Sequence, residues 1–373
     1  ITKDGGVKKL SSLLPMIIIF SYSLVLNSMA PLLSSFRELF HISVELSSLL
    51  PFFSLTGTVL SNIFVGIYLN RLGLKRALMT GYLLTILGSL IIAFSGRLFL
   101  SLVGLFFFGL STGFGFTAST TLLVQSKKPK FGLFHGAYGL GGIIAPLLIK
   151  VVQGKWQDFR FVYLIYSALF LSLLTYTLLK IEELSAEKKR ESFSLSEIRQ
   201  AFKIDSFRIF LLLLILYSSA EIGVITWAGT ISNSKVISTY TAYMIFWALF
   251  TLSRFPVEYL EKTFRYLLRT NTLLLIVSTV LLFTTKNPIY FIISGFLFGP
   301  LFPYIQKHAL RNIHNNIIPL FNGATYAFTS LGGNIASTLI GVLIGKSFVL
   351  ALLVPVIIIG LITTLSLKTK AVK

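Results

Sequence analysis

Residues 206–231 read SFRIFLLLLILYSSAEIGVITWAGTI. At 1.5 Å per residue, a helix of about 20 apolar residues crosses the roughly 30 Å of hydrocarbon in a bilayer. The single acid in this stretch, Glu221, is far from either end. The chain has 13 Asp and Glu, and the other twelve (Asp4, Glu38, Glu45, Asp158, Glu182, Glu183, Glu187, Glu191, Glu197, Asp205, Glu258 and Glu261) lie in or beside polar connections. A carboxylate at bilayer depth is costly, so it normally faces a cavity or a partner and marks a substrate or proton path. One stretch therefore gives a membrane helix and the first candidate functional group.

Similar runs recur along the whole length. Hydrophobic residues are 54% of the 373 and charged residues 12%, about half the charge of a soluble domain. The spacing predicts an all-α membrane protein with twelve transmembrane helices, over residues 11–35, 45–69, 77–95, 98–125, 132–152, 160–180, 207–231, 237–257, 266–285, 287–307, 320–344 and 347–367. These are called spans 1 to 12 below. The first run is too long for a cleavable signal peptide, so none is expected. The one long connection, residues 181–206, is charged and is predicted to carry a short interfacial helix around Leu195–Phe202. It divides the chain into residues 1–180, a linker 181–206 and residues 207–373. Cysteine is absent, so neither disulfides nor thiol chemistry are expected.

A net charge of +20 invites a nucleic-acid reading, but the basic residues are scattered among the connecting loops. The lipid bilayer, with its anionic surface, is the simpler partner, and no nucleic acid is expected. Of the 33 Lys and Arg, only Arg37, Arg97, Lys150, Lys155, Arg160, Lys235, Lys286 and Lys346 fall on one face; all others fall on the opposite face. The positive-inside rule then places both termini and the linker in the cytoplasm, with the chain multi-pass in the inner cell membrane.

The two halves repeat. Tyr68-Leu69-Asn70-Arg71 aligns with Tyr259-Leu260-Glu261-Lys262, and Gly141-Gly142-Ile143-Ile144-Ala145 with Gly332-Gly333-Asn334-Ile335-Ala336, both at a shift of 191 residues. Phe106-Phe107-Phe108-Gly109 pairs with Phe296-Leu297-Phe298-Gly299 at 190. Two six-helix bundles in the same topology imply a pseudo-twofold axis along the membrane normal and a site between them near the midplane.

The loop after span 2, Gly66-Ile67-Tyr68-Leu69-Asn70-Arg71-Leu72-Gly73-Leu74-Lys75-Arg76, resembles the G-x-x-x-D-R-x-G-R-R/K signature of the major facilitator superfamily. The resemblance implies that fold, and a cytoplasmic gate formed by Gly66, Asn70, Arg71, Gly73, Lys75 and Arg76. Asn70 stands where the family prefers Asp and cannot make a charged latch. Span 5 carries His135-x-x-Tyr138-Gly139-x-Gly141-x-x-x-x-Pro146, similar to fucose-permease-like sugar transporters. It also matches the G-x8-G-x3-G-P pattern of drug/proton antiporters at Gly132, Gly141 and Pro146, with Ala145 for Gly. Glu221-x-Gly223-x-x-x-Trp227 in span 7, Phe246-Trp247 with Arg254 in span 8, and Gly295 to Pro303 in span 10 favour the sugar-type group. Spans 1 and 4 contain no acid, unlike the pattern associated with proton-coupled fucose uptake, so any coupling here must differ.

Glu221 is the candidate coupling and substrate carboxylate, with Tyr217 one turn away on the same face. Asn27, Tyr138, Tyr243, Trp227 and Trp247 are further candidate substrate-binding residues, with Trp227, Trp247 and Tyr243 placed to stack on a sugar's apolar face. Asn322, Tyr326, Ser330 and Asn334 form a polar stripe on span 11, drifting about 40° per step; Asn322 and Tyr326 are its candidate ligand contacts. Thr117, Thr121 and Gln125 form a lesser stripe on span 4. Arg254 is placed at the cytoplasmic gate, and no span is expected to carry a central Lys or Arg, which disfavours carriers of organic phosphate or nitrate. His41, His135, His308 and His314 lack metal-ligand spacing, so no metal is expected, nor any cofactor. There is no phosphate-binding loop for ATP, and no nucleophile or acid/base pair for an enzyme. The expected function is secondary transport of a small polar solute such as a sugar, as a monomer, coupled to protons through Glu221. The alternative is a proton-coupled exporter of lipophilic cations.

Overall fold

The computed structural model describes residues 13–125, 131–180, 195–258, 264–313 and 317–368. The side chains of Asn70, Gln125 and Asn322, and residues 181–194 of the linker, lie outside the described residues. Among the described residues, eleven spans are long and apolar enough to cross a membrane, each broken one counted once. Span 2 is Leu49–Leu72, entered through the short turn Val44–Ser47. Spans 3 to 7 are Leu74–Ala93, Leu98–Gln125, Phe131–Trp156, Phe161–Lys180 and Asp205–Ile231. Spans 9, 11 and 12 are Phe264–Thr285, Ile318–Ile344 and Phe348–Lys368.

The three remaining spans differ from their predicted form, each where a proline removes a donor. Span 8 is helical only over Thr239–Leu252. It turns at Ser253 and Arg254 into the 3₁₀ segment Phe255–Glu258, because Pro256 has no N–H and disfavours helix at the residue before it. Span 1 is two helices, Leu13–Leu26 and Met29–Phe40. Pro31 cannot donate to the carbonyl of Asn27, four residues back. Span 10 is likewise Pro288–Phe298 and Leu301–Asn312, broken at Gly299–Pro300.

Packing displays the repeat. Spans 1·5, 2·4, 3·4 and 3·6 touch in the first half, and 7·11, 8·10, 9·10 and 9·12 in the second; each pair is the first set advanced by six. Gly109 of span 4 lies on the backbone oxygen of Ser54 in span 2, and its counterpart Gly299 on that of Phe250 in span 8. Gly141 lies against Ser23 of span 1, and Gly332 against Ser219 of span 7. Small residues here let helix backbones approach closely, which is how apolar helices bind one another in lipid. The linker helix forms over Leu195–Ala201 and is tied to the second bundle by Phe202, whose ring packs edge-on against Phe207 and Phe328.

Gly73 joins spans 2 and 3 alone. Its N–H closes span 2 on the Leu69 carbonyl, and its own carbonyl accepts the Ala77 N–H that opens span 3. This needs φ 81° and ψ 148°, a region essentially reserved for glycine. No atom outside the local chain lies within 4 Å of a Cβ built there, so Gly73→Ala should lower stability through backbone strain alone, by about 1–3 kcal/mol. A melting temperature equal to wild type would show that the joint relaxes. Between spans 5 and 6, Asp158 holds the Arg160 guanidinium and backbone N–H, while Arg160 reaches the Ser95 carbonyl. Partial burial raises the Asp158 pKa, but the contacts from Arg160 outweigh it and hold the carboxyl below its usual range.

Candidate functional site

The site is built on the break in span 10. A helix end leaves its last carbonyls without partners, and here three side chains from three other spans supply them. Asn271 Nδ2 of span 9 donates to Leu297 O at 3.2 Å, the Tyr217 hydroxyl of span 7 to Phe298 O at 3.1 Å, and Arg254 Nε to Gly299 O at 3.1 Å. Pro303 cannot donate to that last carbonyl, which leaves it open to Arg254. The negative end of a helix dipole favours a cation, and the guanidinium carbon also sits 4.2 Å from the centre of the Phe250 ring, a cation–π contact. Arg254 thus stands at the middle of span 10 rather than at the inner gate where it was expected. The shortened helix of span 8 puts it there, and the expectation of no central basic residue is corrected with it.

Glu221 is half-buried on span 7. The Tyr217 hydroxyl interacts with both Glu221 and Arg254, and Arg254 is the cation that acts on Glu221. No direct ion pair joins the two among the described contacts. From the other half, Tyr138 of span 5 lies within electrostatic reach of both charges and beside the Asn27 side chain. Asn27 sits at the break in span 1, its Nδ2 donating to Ser23 O and Oγ at 2.9 Å each. His135, one turn from Tyr138, is exposed and within electrostatic reach of Arg254. Asn27, Tyr138, Glu221 and Arg254 are all partly accessible. Two helix breaks and two facing bundles therefore converge on one pair of opposite charges.

Four of the predicted aromatic contacts are sealed. Trp227 is 0% exposed; its Nε1 donates to Ser337 O at 2.7 Å, and its ring fills the space left by Gly341. The Tyr243 hydroxyl donates to Ile225 O at 2.6 Å and accepts from Gly229 N at 3.2 Å, fastening span 8 to span 7. Trp247 is 3% exposed, packed over Gly142 and edge-on to Tyr138 at 6.0 Å. Tyr217 is itself 0% exposed, its hydroxyl committed as above. In this conformation Trp227, Tyr243 and Trp247 join helices and do not offer their rings to a solute.

Polar side chains join spans 2 and 11 across the bundles toward the lysine-rich face. Asn334 Nδ2 donates to Thr56 Oγ1 at 2.9 Å and Asn62 Nδ2 to Ser330 Oγ at 3.4 Å, so the span 11 stripe lies on span 2. One turn further, Tyr326 is 39% exposed and the space beside Gly66 is open. Toward the lysine-poor face the halves stay shut. Gln153 of span 5 donates to Ser35 of span 1 at 2.7 Å and accepts from the Tyr240 hydroxyl of span 8, and the Glu45 side chain is packed against Gly345. Gln153→Ala removes both bonds, worth about 1–3 kcal/mol together, and should open this face in a larger share of molecules. Spin labels on Arg37→Cys and Lys235→Cys, the only thiols in a chain without cysteine, should then report longer distances; an unchanged distribution would mean the seal lies elsewhere.

The Major Facilitator Superfamily profile matches residues 15–337. The chain belongs to this superfamily. It is therefore a multi-pass membrane transporter. Among similar proteins are those named "Protein TsgA homolog" in three strains of Buchnera aphidicola subsp. Acyrthosiphon pisum, 24% identical over 294 residues, 74% of this chain and 74% of the relative. The counterpart in Buchnera aphidicola subsp. Baizongia pistaciae is 25% identical over 130 residues, 33% of this chain and 34% of the relative.

Arg254 as a central group, Asn271 and Gln153 were not legible in advance. A signal for the first two existed: Gly299-Pro300 and Pro303 announce carbonyls that need donors. Gln153 offered only its polarity, in a helix end where polar residues are common.

Proposed function

We propose that this protein is a secondary active transporter for a small polar solute of the sugar type, with protons as the coupling ion and Glu221 as the group that carries them. The observation behind this reading is the gathering of Asn27, Tyr138, Tyr217 and Arg254 around Glu221 from both bundles. A polar solute needs such donors and acceptors to replace its hydration. An exporter of lipophilic cations would be served by an acid in apolar surroundings, and the fixed charge of Arg254 would repel its cargo. The fucose-permease-like residues of spans 5, 7 and 8 point the same way.

On the positive-inside rule the lysine-rich face is cytoplasmic, so Tyr326 and the open space beside Gly66 face inward and the Ser35–Gln153–Tyr240 seal closes the outer side. Transport then consists of rocking residues 13–180 against residues 205–368. The gate beside Gly73, with Arg71, Lys75 and Arg76, closes the inner end as the outer seal parts. The test is uptake of labelled monosaccharides into proteoliposomes under an imposed pH gradient. Accumulation abolished by a protonophore is expected. Failure of every monosaccharide, with gradient-driven movement of a lipophilic cation, would overturn the reading.

A further inference from the structure

We infer that Arg254 is a substrate-binding residue, and that the site takes a hydroxylated carboxylic acid, a sugar acid rather than a neutral sugar. The inference rests on the polar-solute reading above and narrows it. Arg254 and Glu221 share the site, both partly accessible, without a direct ion pair among the described contacts. Arg254 does not depend on Glu221 for its position. The carbonyl of Gly299, the C-terminal end of the helix Pro288–Phe298 and the face of Phe250 hold it from behind. That arrangement orients a guanidinium before a ligand arrives, and binding then needs little further ordering.

A guanidinium presents paired N–H groups on a plane, which match the two oxygens of a carboxylate. The charge count favours a monoanion. With a single arginine and an acid beside it, a phosphate dianion would leave the site strongly negative. A carboxylate on Arg254 leaves one surplus negative charge, which a proton on Glu221 removes. The titratable or charged groups facing Glu221 are Tyr217 on its own span, Tyr138 on span 5 and Arg254 on span 8, with His135 beside Arg254. Asn27 and Tyr138, on the opposite bundle, are left for the hydroxyl groups of the same molecule. One ligand would then touch both halves, as a rocking carrier requires.

The experiment is a thermal-shift titration of the detergent-purified full chain with glucuronate and with glucuronamide, which differ only at the carboxyl group. A ligand that binds the folded state raises the melting temperature by mass action. The expected result is a rise with glucuronate, and none with glucuronamide below about tenfold higher concentration, the factor that 1.4 kcal/mol represents. Arg254→Gln should abolish the glucuronate shift, and Arg254→Lys, a point charge without the fork, should keep only part of it. The wild-type comparison stands even if the variants fold poorly. Equal shifts with both compounds, no shift with either, or a glucuronate shift that survives Arg254→Gln would overturn the inference. Stabilisation by a neutral sugar that is lost in Glu221→Gln would overturn it and leave the polar-solute reading standing. Stabilisation by lipophilic cations alone would end both.

Discussion

Glu221→Gln is expected to abolish accumulation driven by a pH gradient while leaving solute exchange across the membrane intact. Glutamine keeps the length of the side chain and its capacity to hydrogen-bond but cannot pick up and release a proton. The drop in accumulation should be at least about tenfold, the equivalent of 1.4 kcal/mol of lost coupling. Measuring gradient-driven uptake and counterflow in the same proteoliposomes separates coupling from binding. Loss of both would make Glu221 a ligand contact only; loss of neither would remove it from the mechanism. Taking away one of two opposite buried charges can destabilise by about 3–5 kcal/mol. Here the fall should be smaller, because Gly299 and Phe250 continue to hold Arg254. The melting temperature of the variant reads that directly.

The second large effect is expected at Gly109→Ala. The new methyl group would overlap the backbone oxygen of Ser54, which no rotamer change can move aside. Spans 2 and 4 would have to separate along their length, at a cost of about 1–3 kcal/mol. Gly154→Ala is the matched control: a Cβ there meets nothing within 4 Å, and alanine is the better helix former by about 1 kcal/mol. Melting temperatures that fall for the first and hold or rise for the second would confirm that backbone contact, and not glycine content, sets the stability of the bundle. Equal falls would contradict it.

The sequence exposed the spans, the repeat and Glu221 for the same reason: each is a break in, or a recurrence of, uniform apolarity. It could not show which way a helix is turned. A transmembrane helix is apolar toward both lipid and protein, so nothing in the pattern around Trp227 or Tyr243 distinguished a face toward the centre from a face toward spans 11 and 7 respectively. The polar stripe of span 11 was an exception, and Ser330 and Asn334 do lie on span 2 as a stripe should. The helix breaks were hidden in a different way. Apolar sequence runs on through Pro300, and just before Pro31 in span 1 only Asn27 and Ser28 interrupt it, so the arithmetic of missing N–H groups is what betrays the breaks. Arg254 was misplaced because its depth follows from one such break in span 10 and from the early end of span 8.

The glycine contacts at Gly109 and Gly299 carry a consequence for how such a protein changes over generations. They are backbone on backbone, and they lie inside each bundle. The surfaces that meet across the cleft are instead side chains: Asn62 with Ser330, Thr56 with Asn334, and Gln153 with Tyr240. The bearings of the machine are thus made from parts that hardly tolerate replacement, and its working faces from parts that can be exchanged singly. Descendants can acquire a new cargo by altering a few groups along the cleft, with the stiffness of each lever inherited unchanged.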